Sequence, residues 1–165
     1  MKEHVNSSRV QEEGCRALHC LALPAGGKDF MMDTGATEAV VLAMRSHEDA
    51  EGVQEEGCRV LRLLASRGAK MEVYTSVLPA VVDGMSAHRH AEGVQACGCG
   101  VLCKLTDNAE TIKEITDFDR IRKRWIVRTP TAREVLESAK TWFPDHKYIQ
   151  DRCTKALGRL PQFYF

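Results

Sequence analysis

Apolar and small residues fall at offsets 0, 4, 7, 8 and 11 in four separate stretches of the chain. They are Val10, Gly14, Ala17, Leu18 and Leu21; Val53, Gly57, Val60, Leu61 and Leu64; Val94, Gly98, Val101, Leu102 and Leu105; and Ile149, Cys153, Ala156, Leu157 and Leu160. That spacing draws one stripe along a helix, so it predicts four amphipathic helices starting near residues 10, 53, 94 and 149. The stretches are copies of one another. Val10-Gln11-Glu12-Glu13-Gly14-Cys15-Arg16-Ala17-Leu18 returns almost unchanged as Val53-Gln54-Glu55-Glu56-Gly57-Cys58-Arg59-Val60-Leu61, and in worn form from Val94 and from Ile149. Their starts lie 43, 41 and 55 residues apart. A period of roughly 40 to 47 residues is that of stacked helical repeats, in which each repeat buries its apolar face against its neighbours.

Two further pieces lie between the long helices. One is short, as in Lys28-Asp29-Phe30-Met31-Met32 and Met71-Glu72-Val73-Tyr74; the other is Ala36 to Met44, matched by Val77 to Met85. Pro79 falls in the first turn of that second piece, where its missing N–H needs no partner. Three helices per repeat are therefore expected. The third interval is about a dozen residues too long, with its surplus over about 117–130, after which Thr131 to Phe143 reads as the missing helix. The chain then divides into a polar lead-in (1–9), a repeat domain (10–160) and a tail (161–165) that begins at the helix-stopping Pro161 and carries Phe163, Tyr164 and Phe165 as a possible end cap. No polar capping repeat precedes Val10. A bare stacking face implies either a fragment or a chain whose copies pair end to end.

Composition narrows the setting. The chain has 165 residues with 23 basic and 23 acidic side chains, so bulk charge points to neither nucleic acid nor membrane. Seven cysteines are an odd number, and Met1-Lys2-Glu3-His4 opens no apolar signal region. Reduced thiols in the cytoplasm or nucleus are expected rather than a secreted disulfide framework. No apolar run approaches the roughly 18 residues of a membrane span.

Asp33-Thr34-Gly35 leading into Ala36 to Val41, then Val53-Gln54-Glu55-Glu56-Gly57 through Leu61-Arg62-Leu63-Leu64-Ala65, resembles the armadillo repeat. Val77-Leu78-Pro79-Ala80-Val81-Val82 through Leu105 resembles it as well, and Thr131 to Leu160 does so loosely. The related HEAT repeat is the second choice. The resemblance implies an all-α fold, a right-handed superhelical α-solenoid of armadillo-like three-helix repeats whose third helices line a concave groove. It also implies a non-enzymatic scaffold or adaptor for protein partners, without catalytic residues, cofactor or metal. Peptide-binding armadillo proteins carry Trp and Asn at two offsets of the third helix. Here the Trp position holds Arg16, Arg59, Gly100 and Lys155, and the Asn position holds Cys20, Leu63, Lys104 and Arg159. In place of an asparagine ladder, Arg16, Arg59, Lys104, Lys155 and Arg159, with Arg62 at the edge, form a broken basic ladder. Such a ladder suits an acidic or extended partner segment, because arginine meets carboxylate or phosphate bidentately.

Other constellations carry less. Cys97, Cys99 and Cys103 with His88 and His90 offer zinc-binding residue types, but within one helix only Cys99 and Cys103 share a face. Cys99 occupies the offset of Cys15 and Cys58, a position for a small buried hydrophobe. Gln11, Gln54, Gln95 and Gln150 share one offset and are expected to stack as an amide ladder from repeat to repeat. Gly14, Gly57 and Gly98 suggest a backbone crossing close by. Glu12-Glu13 and Glu55-Glu56 are expected in a first helical turn, where the dipole favours acids. Gly26-Gly27-Lys28 lacks the spacing of a phosphate loop and is a turn. The alternative function is nucleic-acid or phospho-ligand binding through Arg120, Arg122, Lys123, Arg124 and Arg128 beside Trp125.

Overall fold

The computed structural model of the chain describes residues 1–24, 27, 31, 33–65, 71–125 and 130–161, without the side chains of residues 2, 71–75 and 122–125. All regular structure among them is helical. A 3-10 turn, Lys2–His4, precedes α1 (Ser8–Ala22), α2 (Ala36–Ser46), α3 (Glu51–Leu64), α4 (Met71–Ala87), α5 (Glu92–Leu105), α6 (Ala109–Trp125), α7 (Ala132–Trp142) and α8 (Lys147–Arg159). The fold is all-α.

Helix starts are set by local chemistry. Ser7 caps α1 by accepting from the Val10 N–H at 3.4 Å, and Thr131 with Glu134 forms a capping box on α7. Gly35 stands ahead of α2 at φ 72°, a conformation that an L side chain resists. α7 has a second anchor in the buried Asp119 of α6, whose carboxylate accepts from the Ala132 N–H at 2.7 Å. A negative group at a helix N-terminus is favourable. That anchor ties the surplus segment to the rest of the molecule, and residues 117–125 prolong α6 instead of forming a loop.

The helices that carry the copied stretch pack in sequence, α1 on α3, α3 on α5 and α5 on α8. Beside them α2 packs on α4 and α4 on α7, while α6 touches α4 and α7. Stripe residues Val53, Val60, Leu61 and Leu64, and their equivalents Val94, Val101, Leu102 and Leu105, are 0–2 % exposed. One expectation fails at α4. Met71 to Tyr74 and Val77 to Met85 form a single helix, and Pro79 sits inside it and not in a first turn. Proline leaves the carbonyl one turn earlier without its usual donor; the neighbouring Ser76 carbonyl accepts from Arg45 of α2 at 3.5 Å. Of the short piece expected over Lys28 to Met32 only Met31 is among the described residues, and the aromatic tail Phe163 to Phe165 lies outside them, as do Gly26 and Lys28 of the expected turn.

Candidate interaction face

The glutamines fasten turns, not repeats. Gln11 Nε2 donates to the Met1 and His4 carbonyls at 3.0 and 2.8 Å, and Gln54 Nε2 to those of Met44 and His47 at 2.8 and 2.9 Å. Gln95 holds Met85 and His88 at 2.7 and 3.0 Å, and Gln150 holds Lys140 and Phe143 at 2.8 and 2.9 Å. Each amide thus satisfies two carbonyls at the end of the segment leading into its own helix. The expected ladder between repeats is absent, because both amide donors are already used within one copy.

The repeated glycines have a different neighbour from the one expected. A Cβ on Gly57 would stand 2.6 Å from Met44 Cγ, and one on Gly98 2.6 Å from Met85 Cγ; Gly14 meets Met1 in the same way. A methionine side chain, not a crossing backbone, requires the small residue. Histidines join successive copies. His47 Nε2 donates to the Val5 carbonyl at 2.6 Å, and His88 Nε2 to the Glu48 carbonyl at 2.7 Å. With His88 so engaged and His90 packed edge-on against Trp142 at a centroid distance of 4.2 Å, neither joins the cysteines. No group of three His, Cys, Asp or Glu residues among the described ones is placed to hold a metal.

The cysteines lie between helices. Cys99 Sγ is 3.0 Å from Cys153 Sγ, and both are fully buried. The thiol hydrogen bond to Cys153 and burial together hold the Cys99 pKa well above the ordinary thiol value. Burial, helped by the charge of Glu56, pushes Cys15 up to about 12. Thiols held protonated in this way are poor nucleophiles. Cys20 is exposed.

The first two cations expected in the basic ladder are surrounded by acids. Arg16 pairs with Glu12 at 2.9 Å, Glu13 at 2.8 Å and Glu56 at 3.3 Å. Arg59 pairs with Glu55 and, at 3.3 Å, with the same Glu56 oxygen. Glu56 is 7 % exposed, so one buried carboxylate bridges α1 to α3. These glutamates do not occupy a first turn, since α1 begins at Ser8 and α3 at Glu51. The carboxylates of Glu12 and Glu55 instead lie over Gly52 and Gly93, in the first turn of the next copied helix. Their favourable dipole is that of the neighbour. Across Arg16, Arg59 and Arg62, three positive charges face four glutamates.

Farther along, Arg62 extends over Gly100, where a Cβ would be 2.6 Å from its Cδ, and donates to the Tyr148 hydroxyl of α8 at 3.0 Å. Arg152 stacks on the same tyrosine ring at 4.9 Å. Lys155 at 3.5 Å and Arg159 share Asp107. Burial alone would raise the Asp107 pKa, but the Arg159 hydrogen bond and the charges of Arg159 and Lys155 outweigh it and hold the carboxyl below its usual value. Lys104 lies on the same helix as Gly100 and is half-buried. Of the second basic group, Arg120 pairs with Asp117 at 3.1 Å; the side chains of Arg122, Lys123 and Arg124, and all of Arg128, lie outside the described residues. No helix among the described residues is long and apolar enough to cross a membrane.

Comparison with family models, with curated proteins and with solved structures returned no match.

Proposed function

We propose that the chain is an armadillo-type solenoid acting as a non-enzymatic scaffold, with the face of α1, α3, α5 and α8 as its partner-binding groove. The stacking of the copied helices, the four glutamine clamps and the histidine links between copies support the architecture. One observation carries the choice of partner: charge is divided unevenly along the face. At the α1 and α3 end the arginines are outnumbered by glutamates. At the α8 end Lys155 and Arg159 share the carboxylate of Asp107, and Arg152, stacked on Tyr148 of the same helix, adds a further cation. An extended partner with a cluster of carboxylates at one end and a basic or neutral remainder fits that gradient. Its acidic end belongs over Lys155 and Arg159, where the carboxylates of the partner would add to the one supplied by Asp107.

Fluorescence anisotropy with labelled extended peptides of matched length tests this reading. A peptide acidic at one end should bind more tightly than a uniformly acidic or uniformly basic one, and weaken as salt rises. Lys155→Glu with Arg159→Glu should lose it while Arg16→Gln retains most of it. Equal binding of all three peptides, or an Arg16→Gln loss as large as that at α8, refutes the assignment.

A further inference from the structure

The first copied helix shows to solvent what the second and third show to a neighbour. Val10, Ala17 and Leu21 occupy the positions of Val53, Val60 and Leu64 in α3 and of Val94, Val101 and Leu105 in α5. Those six are at most 2 % exposed, whereas Leu21 is 60 % exposed, Ala17 is exposed and Val10 is half-buried. Among the described residues the opposite end of the row is uncovered too. Asp151, Thr154 and Lys155 of α8 are exposed, and nothing lies within 4 Å of a Cβ built on Gly158. We propose that these two end surfaces recognise each other, so that copies of this chain stack head to tail, α8 of one on α1 of the next.

The internal joints supply the register. Between α1 and α3, Arg16 reaches Glu56 and the Glu12 carboxylate lies over Gly52; between α3 and α5, Glu55 repeats the second contact over Gly93. Lys155 stands at the position of Arg16, and Glu13 at that of Glu56. Asp151 stands at the position of Glu12, and Arg9 at that of Gly52. Continuing the same register past α8 therefore sets Lys155 against Glu13 of the next copy and Asp151 against Arg9 of the next copy. Both pairs are opposite in charge. They flank an apolar strip, Val10, Ala17 and Leu21, which meets the small Thr154 and Gly158. The interface extends the row already seen inside the chain and lies at its ends, meeting the proposed groove at Lys155 and Glu13. Its two sides differ, so it is heterologous and produces open chains unless the rotation happens to close a ring.

Sedimentation velocity of the 165-residue protein over a rising concentration series tests the proposal. The weight-average mass should grow past that of a dimer. Arg9→Glu and Asp151→Lys are surface changes whose fold is checked by circular dichroism, and each alone sets like charges against each other at the joint. Each should weaken association by roughly three- to tenfold. An equimolar mixture of the two variants restores opposite charges at every joint and should regain most of the wild-type association. Leu21→Lys should abolish it in either background. A protein that stays monomeric, association that stops at a dimer, or a mixture no better than its two parents would overturn the head-to-tail arrangement.

Discussion

The first three copies and the fourth solve the same packing problem with different residues. In the first three, a methionine thirteen residues before a glycine packs its Cγ where a Cβ would otherwise stand. In the fourth, that methionine is Lys140 and the glycine is Cys153. The lysine turns its Nζ to Thr154 at 3.0 Å, and the space is filled by a cysteine whose sulfur meets Cys99. Histidine changes in step: His4, His47 and His88 give way to Phe143. Of these three features, the glutamine clamp alone survives in all four. The contacts that hold a turn to its own helix are thus independent of those that fill space or join copies, and the latter change as pairs.

Removing the shared feature should have the largest effect. Gln95→Leu leaves the Met85 and His88 carbonyls without their side-chain donor, and should cost about 2–4 kcal/mol in urea unfolding because one of the two bonds is buried. A loss below half a kilocalorie would show that water replaces the amide, and that the clamp matters little to any copy.

Next comes the pair that only the first three copies possess. Gly98→Val drives a branched side chain against Met85 Cγ, the near end of a side chain that is 1 % exposed, and should cost about 1–3 kcal/mol. Adding Met85→Ala should cost less than the two single losses together, since the valine then fills part of the cavity. Strict additivity would separate the glycine from the methionine.

How much of this was legible in the sequence depends on whether a residue acts within its helix or beyond it. The stripe, the four copied helices and the shared glutamine offset followed from periodicity; each helix starts two residues before its copied stretch, which carries the glutamate pairs beyond the first turn. The partners of the glutamines did not, because they lie in a preceding turn; yet Met1, Met44 and Met85 stand ten residues before Gln11, Gln54 and Gln95, and His4, His47 and His88 stand seven before. That constant spacing was the available signal. The acids around the ladder were visible as well: Glu12 and Glu55 precede Arg16 and Arg59 by four residues, the favourable order for a helical ion pair. What no spacing could show is that Glu56 also serves Arg16 on the next helix. Pro79 misled because proline at a first turn is so much commoner than proline held inside a packed helix.

Exchanging the two solutions should move stability less. Cys153→Gly alone places a glycine inside α8 and empties the space beside Cys99, costing about 1–2 kcal/mol. Lys140→Met alone crowds Cys153. The double substitution rebuilds the arrangement of the first three copies and should return to within about 0.5 kcal/mol of wild type, the spread expected when two changes compensate. If the double variant is as unstable as Cys153→Gly, the fourth copy differs in backbone geometry and not merely in its side chains.

The smallest effect distinguishes the two ends by pH. Asp107 has its pKa lowered by Arg159 and Lys155, so it binds protons less readily folded than unfolded. Its contribution is therefore complete above the ordinary aspartate range and is lost as pH falls through the lower folded value. The carboxylate is 39 % exposed and screened by solvent, which limits the contribution to about 1 kcal/mol or less. Asp107→Asn should flatten that part of the stability curve below pH 4 and leave the neutral-pH value only slightly reduced. The same substitution removes the one acid shared by Lys155 and Arg159, so it should tighten an acidic peptide at the α8 end while it weakens the fold. A variant that loses stability without gaining peptide affinity would place the partner's acidic end elsewhere on the face.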